Sequence, residues 1–323
     1  MSAGAAARRT GWRPDVPALI VLAGCIVLLL GGGIVFPTFL TPSYLLQQLQ
    51  IAAFLGTMAA GAMPVILLGQ IDLSIPWTIT GAAIVATTVA GLDDPVLQTL
   101  AVPAGLGFGA LVGLVNGIVV ARLRIPSMVW TLAVNAMLLG GAVFWTGGHK
   151  PRGLAPPITT TLALGHTLGI PNAFLTWLAV SAAMVFLLRR TVFGRYLYAI
   201  GNNERAVFLA GARVGRVIVG AFMLAGVLAA FAGLLLAGYA NQAYQGMGNP
   251  YLMPTIAAVV IGGTSILGGR GSYAGTFAGA LFITLLLSVL SVLQLPEAVR
   301  QMLFGLIIMA MLVVDGLRRA KPA

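Results

Sequence analysis

A chain of 323 residues that is 59% hydrophobic and only 8% charged, with a mean hydropathy of +1.01, carries more apolar surface than one soluble core of this size can hide. That excludes a soluble globular protein and identifies an integral membrane protein. The net charge of +11 would suggest nucleic acid in a soluble chain, but the basic residues stand at the ends of apolar runs, where orientation in a bilayer accounts for them, so no nucleic-acid partner is expected.

The first predicted element is an apolar run at 17–36, preceded by a tail (1–16) carrying Arg8, Arg9 and Arg13. The pattern mimics a secretory signal, yet no A-x-A site follows before Pro37, and the run is read as a retained span. The lone Cys25 lies within it, so no intrachain disulfide forms. At about 20 apolar residues per crossing, further spans are predicted at 44–69, 72–91, 96–121, 126–146, 172–189, 216–240, 251–268, 272–292 and 298–316. The chain is thus expected to be all-α, with about ten transmembrane helices. At the start of the third span, Asp72 or Ser74 is placed to accept from free helix amides, with Pro76 suited to the first turn. Capping is preferred there to a proton or cation site, because Asp72 is expected at the membrane edge. Small-residue stripes, Gly105, Gly107, Gly109, Gly113 and Gly117 in one span and Gly226, Ala230 and Gly233 in another, predict close helix approach.

His149 and His166 are the only histidines and fall in one loop; with no HExxH, no cysteine cluster and no paired acids in a span, neither an enzyme nor a metal or cofactor site is expected. The glycine-rich run from Gly262 to Ser272 lacks a GK[ST] ending, and the only lysines are Lys150 and Lys321. If ATP powers this protein, another chain binds it. Between Arg189 and Arg216 lie six arginines and a single carboxylate, Glu204, which cannot sit in lipid. With ten crossings, every basic residue except Lys150, Arg152 and Arg300 falls on one side, which places both termini and the 190–215 segment in the cytoplasm. The expected organisation is a cytoplasmic tail (1–16), a transmembrane domain (17–316) and a cytoplasmic tail (317–323). No internal repeat is evident in the residues.

The string from Gly194-Arg195-Tyr196 through Tyr198-Ala199-Ile200-Gly201-Asn202-Asn203-Glu204-Arg205-Ala206, with Leu209-Ala210-Gly211, resembles the cytoplasmic coupling segment of permease subunits in ribose/xylose/arabinose-type sugar ABC importers. Ile71-Asp72-Leu73-Ser74 and Ile256 to Ser265 with Gly268-Gly269-Arg270-Gly271 agree, and the similarity runs from about residue 40 onward. The resemblance implies a multi-pass subunit of the cell inner membrane. Its implied partners are ATP-binding cassette subunits, an extracytoplasmic solute-binding protein, and a second permease copy or a paralogue. Gly201, Asn202, Asn203, Glu204, Arg205, Phe208, Leu209 and Gly211 would contact the ATPase; physically, Asn203 to Ala210 suits a helix capped by Asn202 or Asn203 and stopped at Gly211. A basic loop held at anionic lipid headgroups is the competing reading. The chain departs from the family pattern at Gln70 and Pro76, where glycine is expected, and near Leu252 and Pro254, where acids are expected.

A neutral sugar is recognised by amides, hydroxyls and flat rings. Gln47, Gln50, Asn116, Trp130, Thr131 and Asn135 are the candidates for the path, with interhelical hydrogen bonding as their alternative role. Outside, Asp93, Asp94, Lys150, Arg152, Glu297 and the turn from Asn241 to Asn249 are available to the binding protein. A permease for amino acids or nucleosides, or a stand-alone secondary carrier, remains open, and the residues do not name the sugar.

Overall fold

A computed structural model describes residues 15–149 and 153–320, with side chains up to 313. Residues 1–14 of the N-terminal tail, the last three residues, and Lys150 and Arg152 lie outside the described residues. The helices in chain order are α1 (Val16–Val35), α2 (Pro42–Leu67), α3 (Ile75–Ala90), α4 (Pro95–Thr99), α5 (Ala101–Leu123), α6 (Ser127–Thr146), α7 (Pro157–Leu164), α8 (Asn172–Arg190), α9 (Val192–Leu209), α10 (Val214–Ala240), α11 (Leu252–Ile261), α12 (Tyr273–Val292) and α13 (Glu297–Ala320). The fold is all-α apart from a ribbon of two-residue strands, β1 (His166–Thr167) and β2 (Ile170–Pro171).

Among the described residues, seven helices, α1, α2, α5, α6, α8, α10 and α12, are long and apolar enough to cross a membrane. The protein is a multi-pass membrane protein. Three expected crossings differ. Helix α3 has 16 residues and α11 has 10; at 1.5 Å per residue they reach roughly 24 and 15 Å, short of the ~30 Å hydrocarbon layer. Their flanks are not helical: residues 70–74 run irregularly into α3, and α11 stops at Gly262 and Gly263, the latter at φ +86°. Helix α13 is 24 residues long but is not among the seven.

Helices α2 and α10 form the centre, α2 being buried almost continuously from Ala52 to Leu67. Helix α1 packs on α12 and turns Leu19, Ile20, Ile26 and Val27 outward, which suits a hydrocarbon solvent rather than water. The glycine stripes act as backbone seams. A Cβ added to Gly109 would stand 2.3 Å from the Gly226 carbonyl oxygen, and one on Gly226 would stand 2.1 Å from that of Gly109, so α5 and α10 touch main chain to main chain. Gly107 faces open space instead.

The packing repeats. Helix α3 lies against α5 and α6 as α11 lies against α12 and α13; α2 meets α10, α11 and α12 as α10 meets α2, α3 and α5. Exchanging α2, α3, α5 and α6 in order for α10, α11, α12 and α13 maps these contacts onto one another. The shortened helices α3 and α11 hold corresponding places in the two halves, the arrangement from which transporter folds build midplane sites.

Candidate functional site

Two places gather the predicted residues. The first is the start of α3. After α2 ends at Leu67, Gly69 (φ +72°) turns the chain back into the bundle. Residues 70–74 then run beside the first turns of α6, where the Ile71 N–H donates to Ser127 Oγ at 3.1 Å and the Leu73 N–H to Thr131 Oγ1 at 2.8 Å. Hydroxyls of α6 thus satisfy backbone donors that no helix or sheet pairs.

Between those contacts, Asp72 Oδ1 accepts from the Ser74 N–H at 2.8 Å and from the Ser74 hydroxyl at 2.6 Å. Ser74 Oγ accepts from Asn116 Nδ2 at 2.9 Å, and Asn116 Oδ1 accepts from Trp130 Nε1 at 3.0 Å. Trp130, Asn116, Ser74 and Asp72 therefore form one hydrogen-bonded chain whose donors all point toward the carboxylate. Asp72, Ser74 and Asn116 are buried and Trp130 is half-buried. In such a medium consecutive bonds reinforce each other, and deleting one member strands its neighbour. Asp72 accepts from the N–H of Ser74, the residue just before α3, in a buried position, and the Ser74 side chain serves as the hub of the chain instead of as a cap.

One turn beyond Thr131 on α6, Asn135 has a buried side-chain oxygen with no partner among the described residues. Leaving such an acceptor unsatisfied costs about 1–3 kcal/mol. Thr131 and Asn135 thus succeed each other along one side of α6, while Trp130, about 140° round the helix from Asn135, joins the cluster through Asn116. Gln47 and Gln50 do not join them: Gln47 is exposed on α2, and Gln50 Nε2 donates to the Ala163 carbonyl at 2.6 Å, tying α2 to α7.

The coil leading to α11 reaches the same place. Its beginning is held near the ends of α6 and α10, where Gln245 Nε2 donates to Thr146 Oγ1 at 2.7 Å and the Ala155 N–H to the Asn241 carbonyl at 3.1 Å. Its end dips inward, where the Gly248 N–H donates to Thr80 Oγ1 at 3.1 Å. A Cβ on Gly248 would stand 2.0 Å from the Pro76 carbonyl oxygen, so only glycine allows this approach. The heads of α3 and α11 consequently meet inside the bundle.

The second place is α9. Its first half is clamped to the end of α2 and to the turn before α12. The Gly269 N–H donates to the Leu67 carbonyl at 2.9 Å, Asn202 Nδ2 to the Gly269 carbonyl at 3.0 Å, and the Tyr198 hydroxyl to the Gly271 carbonyl at 3.1 Å. Burial raises the Tyr198 phenol above its ordinary pKa, with Arg189 opposing, so it stays a protonated donor at neutral pH. Gly201 fits because a Cβ there would stand 1.9 Å from the Leu67 carbonyl oxygen. The helix kinks at Asn203 (φ −159°, ψ 94°), whose Oδ1 accepts from the Ala206 N–H at 3.0 Å and starts the second half; Gly211 (φ +82°) follows its end. Asn202 is spent on the clamp. Along the second half Glu204, Arg205, Phe208 and Leu209 are all exposed, Phe208 at 63% and Leu209 at 76%.

The description "Branched-chain amino acid transport system / permease component" belongs to a family model that matches residues 44–312. The chain is 31% identical over 309 residues to the ribose import permease protein RbsC of Haemophilus influenzae, covering 93% of this chain and 91% of that protein. It is 34% identical over 299 residues to RbsC of Bacillus subtilis, covering 92% of each. It is also 36% identical over 307 residues to the autoinducer 2 import system permease protein LsrC of an Enterobacter species, covering 94% of this chain and 86% of that protein. No solved structure gives a significant match.

Proposed function

Because the chain belongs to the family of transport-system permease components whose model spans residues 44–312, we propose that it carries a neutral sugar or sugar-like solute through the membrane. The protein is a transport subunit of an import system, not an enzyme. The unpaired Asn135 oxygen, on the helix that also bears Trp130 and Thr131, is the observation that carries the reading: a buried acceptor kept without a partner suits a passing hydroxyl. An amino acid, although named in the family's description, is a zwitterion and calls for opposite fixed charges along the path. The one carboxylate in this cluster, Asp72, is already engaged by Ser74. The relatives named for ribose and for autoinducer 2 support the sugar-like class.

The chain works beside a second permease copy or a paralogue, with ATP-binding cassette subunits on the cytoplasmic face and a solute-binding protein outside. The second half of α9, with Glu204, Arg205, Phe208 and Leu209 exposed, is the ATPase contact. The clamp at Gly201, Asn202 and Gly269 passes its movement to the end of α2, and residues 68–71 pass it on to Asp72 and Ser74. Ten crossings with cytoplasmic termini complete the topology within a single domain, 17–316. In it the non-helical residues 70–74 continue the α3 crossing beyond the helix itself, and the Gly262–Gly271 turn returns α11 to the α9 face.

Proteoliposomes holding the permease, its ATPase and its binding protein decide the matter. ATP-dependent uptake of labelled ribose or of a furanose analogue, with none of leucine, is expected. Uptake of leucine alone would overturn the substrate class, and accumulation by the permease without ATPase would overturn the subunit assignment.

A further inference from the structure

A groove of about 670 Å³ opens between the end of α5 and the start of α10, beside the second half of α9. Arg122 and Arg124 stand on one bank and Arg213 and Arg216 on the other, against the single carboxylate of Glu204. All four arginines are exposed, and no ion pair joins any of them among the described residues. Four like charges gathered round one cavity repel one another, a cost that an anion relieves.

Orientation in the bilayer explains why arginines end these helices; it does not explain a cavity between them. The shape of that cavity decides what fills it. Along α5 the lining runs from Arg122 back to Leu114 and Ile118, about two turns or roughly 12 Å toward the span's middle. A cytoplasmic protein partner docks on the rim and has no reason to reach that depth, whereas a phospholipid has a charged end and an apolar end in this order.

We propose that this groove binds an anionic phospholipid, its phosphate held by Arg122, Arg124, Arg213 and Arg216 and its acyl chain laid against Leu114 and Ile118. Basic pockets between membrane helices take such headgroups, each arginine near the surface favouring the anion by about fivefold. The lipid thereby bridges α5 and α10 to the docking half of α9, whose Glu204 and Phe208 share the lining. Placing the lipid in the cytoplasmic leaflet rests on the proposed topology; binding itself does not.

The full-length chain, purified alone and equilibrated with equal amounts of phosphatidylglycerol and phosphatidylcholine, is examined by native mass spectrometry for retained lipid. The wild type is expected to prefer phosphatidylglycerol, and Arg122→Gln with Arg216→Gln to lower that preference roughly tenfold or more. Arg124→Gln with Arg213→Gln repeats the test should the first pair misfold. Arg189→Gln with Arg190→Gln, outside the groove, leaves the preference in place, and Ile118→Trp, which fills the apolar end, lowers it without touching charge. An unchanged preference in both groove pairs, or an equal fall in the Arg189 and Arg190 pair, overturns the site. Loss in the arginine pairs with none in Ile118→Trp overturns the lipid in favour of a headgroup-sized anion. Because no ATPase is present, failure of the docking assignment leaves this readout untouched.

Discussion

At the scale of single residues, Asn135 and Asn116 are both membrane amides and answer to opposite tests. Asn116 is spent on structure, bridging the Ser74 hydroxyl and the Trp130 indole. Asn116→Leu strands the indole N–H and is expected to cost about 1–3 kcal/mol, read as a lowered midpoint of thermal unfolding in detergent. Asn135 has nothing to lose. Asn135→Leu removes an unpaired oxygen, so the unfolding midpoint should hold or rise while ATP-driven uptake falls; uptake at the wild-type level would remove Asn135 from the path. The sequence supplied both names but not this difference. Asn116 and Ser74 are 42 positions apart, and nothing in either local pattern records that they touch.

At the scale of elements, α9 is two devices joined at Asn203. The clamped half is tested by Gly201→Ala, whose methyl group collides with the Leu67 carbonyl and must part α9 from α2. ATPase binding is expected to survive while uptake drops by roughly an order of magnitude, since the coupling energies that link distant sites are about 1–3 kcal/mol. Equal uptake would mean that this clamp does not relay the motion. The free half is tested by Phe208→Ser with Leu209→Ser. Both side chains are largely exposed, so folding and insertion should be unaffected while co-purification with the ATPase is lost, apolar anchors being worth about 2 kcal/mol or more each at an interface core. Here the residues said a good deal. Asn203 and Gly211 mark the ends of the short helix through their chemistry, one offering a side-chain acceptor and the other tolerating positive φ. The clamp was not readable, because its partners, Leu67 and Gly269, are ordinary backbone groups far away in the chain.

At the scale of the whole molecule, the repeat has the widest consequence. The contacts of α3 with α5 and α6, and of α10 with α3 and α5, recur as those of α11 with α12 and α13 and of α2 with α11 and α12, and the heads of the two short helices lie together. Gly248→Val pushes the α11 lead-in off the Pro76 carbonyl, which a Cβ would approach to 2.0 Å, and is expected to disturb α3 as well as α11. Cysteines placed at Trp77 and at Tyr251 should both change in labelling rate in that variant; a change confined to position 251 would show that the two heads are not coupled.

Composition alone determined that this is a membrane protein, and the spacing of apolar runs located the helices, because burial in lipid demands long apolar stretches whatever their neighbours are. Only the tertiary structure decided that two of those runs are short helices with irregular lead-ins. Non-helical backbone survives in a bundle only where other elements satisfy its amides, and Ser127, Thr131 and Thr80, which do so here, lie far along the chain from the amides they serve.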